Sequence, residues 1–215
     1  MKTAIGRSVF AGFAALCLLG ALPTSSHATE TEKSASDSAR PDDFDTYVVM
    51  SNDAYIEKFG AKMAIAEGLP VSGVTPSVAS GTAQGRSTVP DPTIPWHHIY
   101  WTAIDWDGHD IPSRRGNADF GVKHACSKHN ACEKKVITAA YNGNADRHPR
   151  PTRYEYDAVV ATSQGGIRLT VTSVAEQGTY GPGPTAPHTP DGRPIGTVTV
   201  FCRGQTVCPD WVNDL

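Results

Sequence analysis

Hydrophobic residues in the C-terminal part of this chain fall into three short runs that are rich in β-branched and aromatic side chains. The runs predict strands at Tyr154–Thr162, Ile167–Val174 and Gly196–Cys202. Gly165-Gly166 separates the first two runs and predicts that they form a hairpin. The segment 178–194 is rich in glycine and proline, which predicts a loop before the third strand.

The segment before these runs has a different pattern. Residues 118–141 contain no proline and favour a helix, which Asn117 would cap and Asn142-Gly143 would end. A helix followed by a run of strands predicts an α+β fold, in which one main helix packs on a small antiparallel sheet.

A shorter helix is predicted at about residues 51–67. Ser51 or Asn52 would cap it, apolar residues recur at helical spacing within it, and Gly68 would end it. Two roles stay open for residues 46–69: docking on the main domain, or forming a small pro-region.

Composition then divides the chain. Residues 29–93 form an acidic, low-complexity region, in which 29–45 are polar and 70–93 are rich in Pro, Gly, Ser and Thr. Three of the four tryptophans follow within a short stretch that begins at Trp96. The folded domain is therefore predicted to span residues 94–215.

The N-terminal 28 residues have the layout of a secretory signal peptide. Lys2 and Arg7 precede an apolar run from Val9 to Leu22, and a small-residue cleavage site ends at Ala28. The run is too short to predict a membrane span, so we expect a secreted, extracellular protein. Removal of this segment takes away two cations and no acid, and the net charge changes from −3 to −5.

Four cysteines remain after removal of the signal peptide: Cys126, Cys132, Cys202 and Cys208. An even number in an exported chain predicts two disulfides, and three pairings are open. In a continuous helix Cys126 and Cys132 would be too far apart to bond. Either the helix breaks near His129-Asn130, or each cysteine bonds to Cys202 or Cys208. Zinc held by His124, Cys126, His129 and Cys132 is the alternative to disulfides; we expect no metal and no cofactor.

Charge is unevenly distributed. Between His109 and Arg153, nine cations face four acids, a local balance of +5 in an acidic chain. Four histidines lie in the same stretch: His109, His124, His129 and His148. Cations neutralise phosphate and histidine exchanges protons near neutral pH, so the pattern indicates a phosphodiester substrate.

Helix geometry refines this prediction. His124 and Lys128 fall within about 40° of each other on a helix, whereas His129 lies about 140° from His124. We therefore expect His124 to carry the chemistry and His129 to be a half-buried histidine outside that site.

The segment RRGNADFGVKHACSKHN, followed by paired strands and GTVTVFC, resembles the C-terminal domains of secreted bacterial RNase toxins of the barnase–EndoU–colicin–RelE-like superfamily. The resemblance covers about 100 residues and rests on Lys123-His124 after Phe120-Gly121, and on a threonine, Thr197 or Thr199, in a late strand. It implies metal-independent RNA cleavage, with an immunity protein or a cell-surface target as further candidate partners.

The same resemblance implies the roles of individual residues. His124 would be the acid or base, Glu155 a second acid/base group, and His188 the later histidine of the barnase branch. Thr199 would assist from the sheet, and Arg168 or Lys128 would hold the phosphate. Further substrate contacts are expected from Lys123, Arg114 and Arg115.

Two other functions stay open. The segment from Cys126 to Cys132 resembles the C-x-x-H-D-x-C helix motif of secreted phospholipases A2, which would make His129 the catalytic base. Asn130 stands where that motif has an aspartate calcium ligand. Alternatively, the aromatic residues from Trp96 to Trp106 belong to a non-catalytic module that binds a glycan, a protein or a surface.

Overall fold

The structure, a computed structural model, describes residues 40–43, 46–71, 91–181 and 187–215. The predicted signal peptide and most of the predicted linker lie outside the described residues. The α+β fold is confirmed, and its elements are β1 (Val48–Ser51), α1 (Asn52–Phe59), α2 (Ala61–Ala66), β2 (Ile99–Ile104), β3 (Asp110–Arg114), α3 (Gly121–His129), α4 (Lys134–Ala139), β4 (Arg147–Arg150), β5 (Arg153–Ala161), β6 (Ile167–Glu176), β7 (Gly196–Cys202) and a C-terminal 3-10 helix (Asp210–Asp214).

The three predicted strands are confirmed as β5, β6 and β7. They form the centre of an antiparallel sheet with the order β1-β5-β6-β7, in which β4 also pairs with β5. Gly165 in the β5–β6 turn has a φ of 92°, a conformation that only glycine adopts without strain. A separate hairpin, β2–β3, packs beside β7.

Residues 46–71 belong to the same folded body as the rest of the described chain. β1 pairs with β5 from Val48 opposite Ala161 to Ser51 opposite Ala158. Tyr55 and Ile56 of α1 are buried in a cluster with Val159 of β5. The folded domain therefore begins well before residue 94, and this segment is docked on the central sheet.

The predicted main helix is two helices. α3 ends at His129, Asn130 adopts a left-handed conformation with φ 53°, and α4 begins at Lys134. Helix propensity alone does not reveal this break, because tertiary contacts of Asn130 and a local disulfide hold the chain in a non-helical turn.

The two faces of the central sheet differ in chemistry. The core face carries apolar side chains that pack against α3, α4 and Trp211, among them Tyr156, Val171 and Val200. The opposite face carries Glu155, Asp157, Thr172, Thr199 and Phe201, and is called the polar face below. The same face also carries buried apolar side chains, among them Val159 and Val174. No helix among the described residues is long and apolar enough to cross a membrane.

Candidate functional site

The loop that leads into α3 is fixed by two glycines. Gly116 and Gly121 both have positive φ, and a Cβ on Gly116 would lie only 1.9 Å from the carbonyl oxygen of Phe120. Asn117 accepts backbone hydrogen bonds from Asp119 and Phe120, so it caps this loop and not the helix itself. The backbone at Gly116 thus lies directly against that of Phe120 and Gly121. This contact fixes the position of the first turn of α3, and with it that of His124.

His124 is held by the loop that precedes its own helix. Its Nδ1 lies 2.5 Å from the carbonyl oxygen of Ala118, and the residue is 8% exposed. Because a carbonyl oxygen only accepts, Nδ1 carries the proton of this bond. The neutral ring therefore has its lone pair on Nε2.

His129 is held in the same way by a second loop. Its Nδ1 donates to the carbonyl oxygen of Thr206 over 3.1 Å, which again leaves the lone pair on Nε2. The rings of His124 and His129 meet edge to face, with their centroids 5.3 Å apart.

The expectation that these two histidines lie in different places is therefore wrong. A helical wheel gives the direction of each Cα–Cβ bond, but helical side chains also lean toward the helix N-terminus. An imidazole at the last residue of α3 can therefore reach back along the helix toward His124. We call His124 and His129 the histidine pair.

Burial lowers the pKa of His129 below its ordinary value, with smaller contributions in the same direction from the charges of His124 and Lys128. The hydrogen bond to Thr206 acts in the opposite direction. His129 is therefore neutral, and able to accept a proton, at a lower pH than an exposed histidine.

The two disulfides hold the segments that carry the histidine pair. Cys126 bonds to Cys132 across the end of α3, and Cys202 bonds to Cys208 across the loop that contains Thr206. The backbone N–H of Cys208 also donates to the carbonyl oxygen of His129 over 2.8 Å. Of the three pairings, the structure has the two local ones, and these cysteines offer no thiolate for zinc.

Thr199 is a polar group without a partner among the described residues. Its hydroxyl oxygen is buried and makes no hydrogen bond. Thr199 lies two residues from Phe201 on β7, so both side chains are on the polar face. The Phe201 ring lies 5.9 Å from that of His129. The β6–β7 register shifts between Thr199 and Thr197, so Thr197, the other candidate, faces the core and bonds to Ser113 and Tyr141.

Glu155 also lies on the polar face, but it is paired. Arg147 donates to Glu155 over 2.7 Å and binds Asp157 with both of its terminal nitrogens. Asp157 also accepts from Thr172 and Arg203. Burial raises the pKa of Asp157, but the bonds from Arg147 and Thr172 and the charges of both arginines outweigh it and hold the pKa below its usual range.

Lys123 and Lys128 lie on α3 with the histidine pair. Lys123 is half-buried and Lys128 is exposed. Neither side chain makes an ion pair with a described residue, so their charges remain available to an anion near the helix.

The two arginines expected to bind substrate beside them have structural positions instead. Arg114 is 0% exposed and donates to Asp191 and to the backbone carbonyls of His97 and Pro194. Arg115 is also buried, and it donates to the carbonyl oxygens of Asp91 and Gly116. These guanidinium groups hold loops together and are not presented to a ligand.

The Arg168 side chain is exposed, but it already forms an ion pair. Its guanidinium donates to the Asp43 carboxylate over 2.7 Å, at the end of β6 where the β5–β6 hairpin turns. The structure therefore does not bring Arg168 to the histidine pair, contrary to the expected catalytic role. His188 is exposed, and the ring it contacts is that of Tyr180, not one of the histidine pair.

The local charge balance of +5 is reduced by tertiary structure. Three of its nine cations, Arg114, Arg147 and Arg153, form ion pairs with acids that lie outside the stretch 109–153. These acids are Glu155, Asp157, Glu176 and Asp191. Of the cations in this stretch, Lys123 and Lys128 lie on the same helix as the histidine pair.

The phospholipase-like motif does not have the local structure that its function needs. Asn130 donates to the carbonyl oxygen of Cys208 and to Asp210, so its side chain fastens the C-terminal segment to the end of α3. The helix also ends at the residue before Asn130. A calcium ligand at this position is therefore not supported.

A second histidine site lies at the tip of the β2–β3 hairpin. His109 Nδ1 is 2.8 Å from a carboxylate oxygen of Asp105, which is buried and also accepts from the Tyr156 hydroxyl over 2.7 Å. Ligand atoms of Asp105, Asp107 and His109 lie within 4.8 Å of one another, close enough for one metal ion. Both oxygens of Asp105 are already used by hydrogen bonds within the protein.

The aromatic residues at the start of the predicted domain pack against the protein. Trp96 contacts Phe120 edge to face, and Tyr100 and Trp101 pack against the main core. All three rings are therefore partly covered by the protein.

Phe201 and Arg203 were not singled out from the sequence, and the contact of His129 with His124 was not predicted. Thr199 and Phe201 alternate along β7, and Arg203 continues the pattern just after the strand ends. This was a usable signal, because residues two apart in an extended chain share a face. Comparison with protein-family models, with curated proteins and with solved structures gave no match.

Proposed function

We propose that this protein is an exported, toxin-type ribonuclease that cleaves RNA phosphodiester bonds by acid–base chemistry at the histidine pair, without a metal. The observation that supports it is the matched anchoring of two adjacent imidazoles. Each ring is held through Nδ1 by a backbone carbonyl, and each has Nε2 left for proton exchange.

Cleavage of RNA needs two proton transfers. A base removes the proton of the 2′-hydroxyl, whose oxygen then attacks the adjacent phosphorus and forms a 2′,3′-cyclic phosphate. An acid gives a proton to the 5′-oxygen that leaves. Two histidines of opposite protonation state can supply both steps near neutral pH.

The environment of His129 supports one assignment of the two steps. Its pKa is lowered, so we assign it the role of the neutral base. The acid step is left to His124, which would give a proton from Nε2 to the leaving oxygen. Repulsion between two imidazolium ions at this distance favours a state in which one ring is charged and the other neutral.

Other groups would stabilise the charge that develops on phosphate. Lys123 and Lys128 supply positive charge from α3. Donors that are already in position before reaction are the most effective way to stabilise such a charge.

The test is RNA cleavage by the protein without its signal peptide, in EDTA, compared with His124→Ala. His148→Ala is the matched control, because His148 is an exposed histidine on β4. We expect cleavage to fall by at least about 100-fold in His124→Ala and to stay unchanged in His148→Ala. A DNA oligonucleotide, which has no 2′-hydroxyl, should not be cleaved.

Equal activity of the wild type and His124→Ala would overturn the proposal. Calcium-dependent release of fatty acid that is lost in His129→Ala would favour the phospholipase function instead. Silence in both assays, with retained binding to cells or glycans, would favour the binding module.

A further inference from the structure

Phe201 is an aromatic side chain at the border between the histidine pair and the polar face of the sheet. It is only partly buried, although most large apolar side chains of β5, β6 and β7 are in the core. One side of it packs on the cluster that contains Phe120 and Val174, and its ring centroid lies 5.9 Å from that of His129.

The orientation of Phe201 follows from its neighbours. Phe201 is directly opposite Thr172 on β6, and the Thr172 hydroxyl donates to Asp157 on the polar face. Two residues further, Arg203 also reaches Asp157 on that face. Phe201 and Arg203 therefore project on the same side of the sheet, about 7 Å apart along the chain.

Asp157 orients the Arg203 side chain but occupies only part of its hydrogen-bonding capacity. One of its terminal nitrogens is bonded to Asp157, whose side chain is 2% exposed, while the Arg203 side chain is 49% exposed. Its Nε and other terminal nitrogen donate to no described residue. Nearby, the charges of Arg147 and Glu155 neutralise each other in an ion pair. The N–H groups of Arg203 that have no described partner are therefore the ones suited to bind an anion from outside the protein.

We propose that Phe201 and Arg203 form a nucleotide-binding subsite for single-stranded RNA next to the histidine pair. A base stacks on the exposed part of the Phe201 ring, and the phosphate beside it pairs with Arg203. Aromatic rings on a sheet bind bases of any sequence, because every base has a π-face. This inference rests on the proposed function, since it names how the same site holds its substrate.

Binding can be separated from cleavage with a 2′-O-methyl oligoribonucleotide, which has no free 2′-hydroxyl to react. Fluorescence anisotropy would measure its Kd for the wild type, Phe201→Leu and Phe201→Tyr. Leu keeps the apolar contact with Phe120 but removes the ring, so we expect Kd to rise about fivefold or more. Tyr keeps the ring and should restore binding. Phe59→Leu is the control, because Phe59 is a half-buried aromatic of α1.

Arg203→Gln tests the phosphate contact through the salt dependence of Kd, which a purely structural role of Arg203 would not change. Loss of one phosphate contact should reduce the slope of log Kd against log salt by about 0.7 for a single strand. The same slope in Arg203→Gln and wild type would remove Arg203 from the subsite.

The two proposals fail in different ways. If the wild type cleaves RNA but Phe201→Leu binds as tightly as Phe59→Leu, the subsite is wrong and the proposed ribonuclease stands. If His124→Ala does not reduce cleavage, the ribonuclease itself is wrong, and with it the subsite.

Discussion

Two histidine sites in this molecule use the same ring atom in different ways. At the tip of the β2–β3 hairpin, Nδ1 of His109 meets the buried carboxylate of Asp105. In the histidine pair, Nδ1 of His124 and of His129 meets a backbone carbonyl. The first arrangement joins one histidine to a charged partner, and the second fixes the direction of two rings side by side.

The partner determines what the site can do. Asp105 also accepts bonds from the Tyr156 hydroxyl and from the backbone N–H of His109, so it is the centre of a buried network. Such a network stabilises a turn, and losing its centre leaves several polar groups unsatisfied. The carbonyls of Ala118 and Thr206 give the histidine pair orientation without a buried negative charge, which leaves the rings free to exchange protons. The comparison predicts that the hairpin site affects stability and the histidine pair affects activity.

The largest effect is expected from His129→Ala. Removal of the proposed base should lower the rate of RNA cleavage by about 100- to 10,000-fold, the usual contribution of general acid–base catalysis. His109→Ala, the matched change at the hairpin, should alter that rate by less than about threefold. Steady-state kinetics on folded protein measures both, and a reversed order would overturn the comparison.

The hairpin site should dominate stability instead. Asp105→Ala leaves the buried Tyr156 hydroxyl and a backbone N–H without acceptors, so we expect the free energy of unfolding to fall by about 2–4 kcal/mol. Asp107→Ala, an exposed aspartate on the same turn, should change it by less than about 0.5 kcal/mol. Urea unfolding measures both values. A near-zero effect of Asp105→Ala would mean that its network is dispensable.

The strands could be predicted because their signal is local. Alternating β-branched residues and the Gly165-Gly166 turn are sufficient to define β5 and β6. The break between α3 and α4 could not be predicted, because it depends on bonds from Asn130 to Cys208 and Asp210, about 80 residues away. The pairing of β1 with β5 is equally non-local, and a four-residue strand carries too little pattern to identify its partner.

The same distinction applies to the candidate site. Lys123, Lys128 and His124 could be identified from one helix, since their spacing is a property of that helix. The arginines could not, because their partners are distant in sequence: Asp191 for Arg114 and Asp43 for Arg168. A count of charges along the chain cannot distinguish a buried, paired guanidinium from one that faces a ligand.

Thr199 permits a smaller test of the same contrast between activity and stability. Its buried hydroxyl has no described partner, so Thr199→Val should leave the free energy of unfolding unchanged or slightly higher. The catalytic role predicted from the sequence would require this buried hydroxyl to become exposed and donate to the substrate phosphate, and in that case cleavage should fall about tenfold. Thr197→Val is the control, because that hydroxyl joins Ser113 to Tyr141 and its loss should reduce stability. Unchanged cleavage in Thr199→Val would remove Thr199 from the site.

The smallest expected effect is a shift in the pH dependence of cleavage. A base must be neutral to act, and the pKa of His129 is held below its ordinary value, first by burial and, in smaller part, by the charge of Lys128. The acid limb of kcat/KM should therefore lie below about pH 6.5, the value for an exposed histidine. Lys128→Met removes a positive charge that disfavours the imidazolium ion, so the limb should move to higher pH, and less so in high salt. Lys135→Met removes an exposed lysine of α4 and should leave the limb where it is. A shift to lower pH in Lys128→Met would show that His129 is not the base that controls this limb.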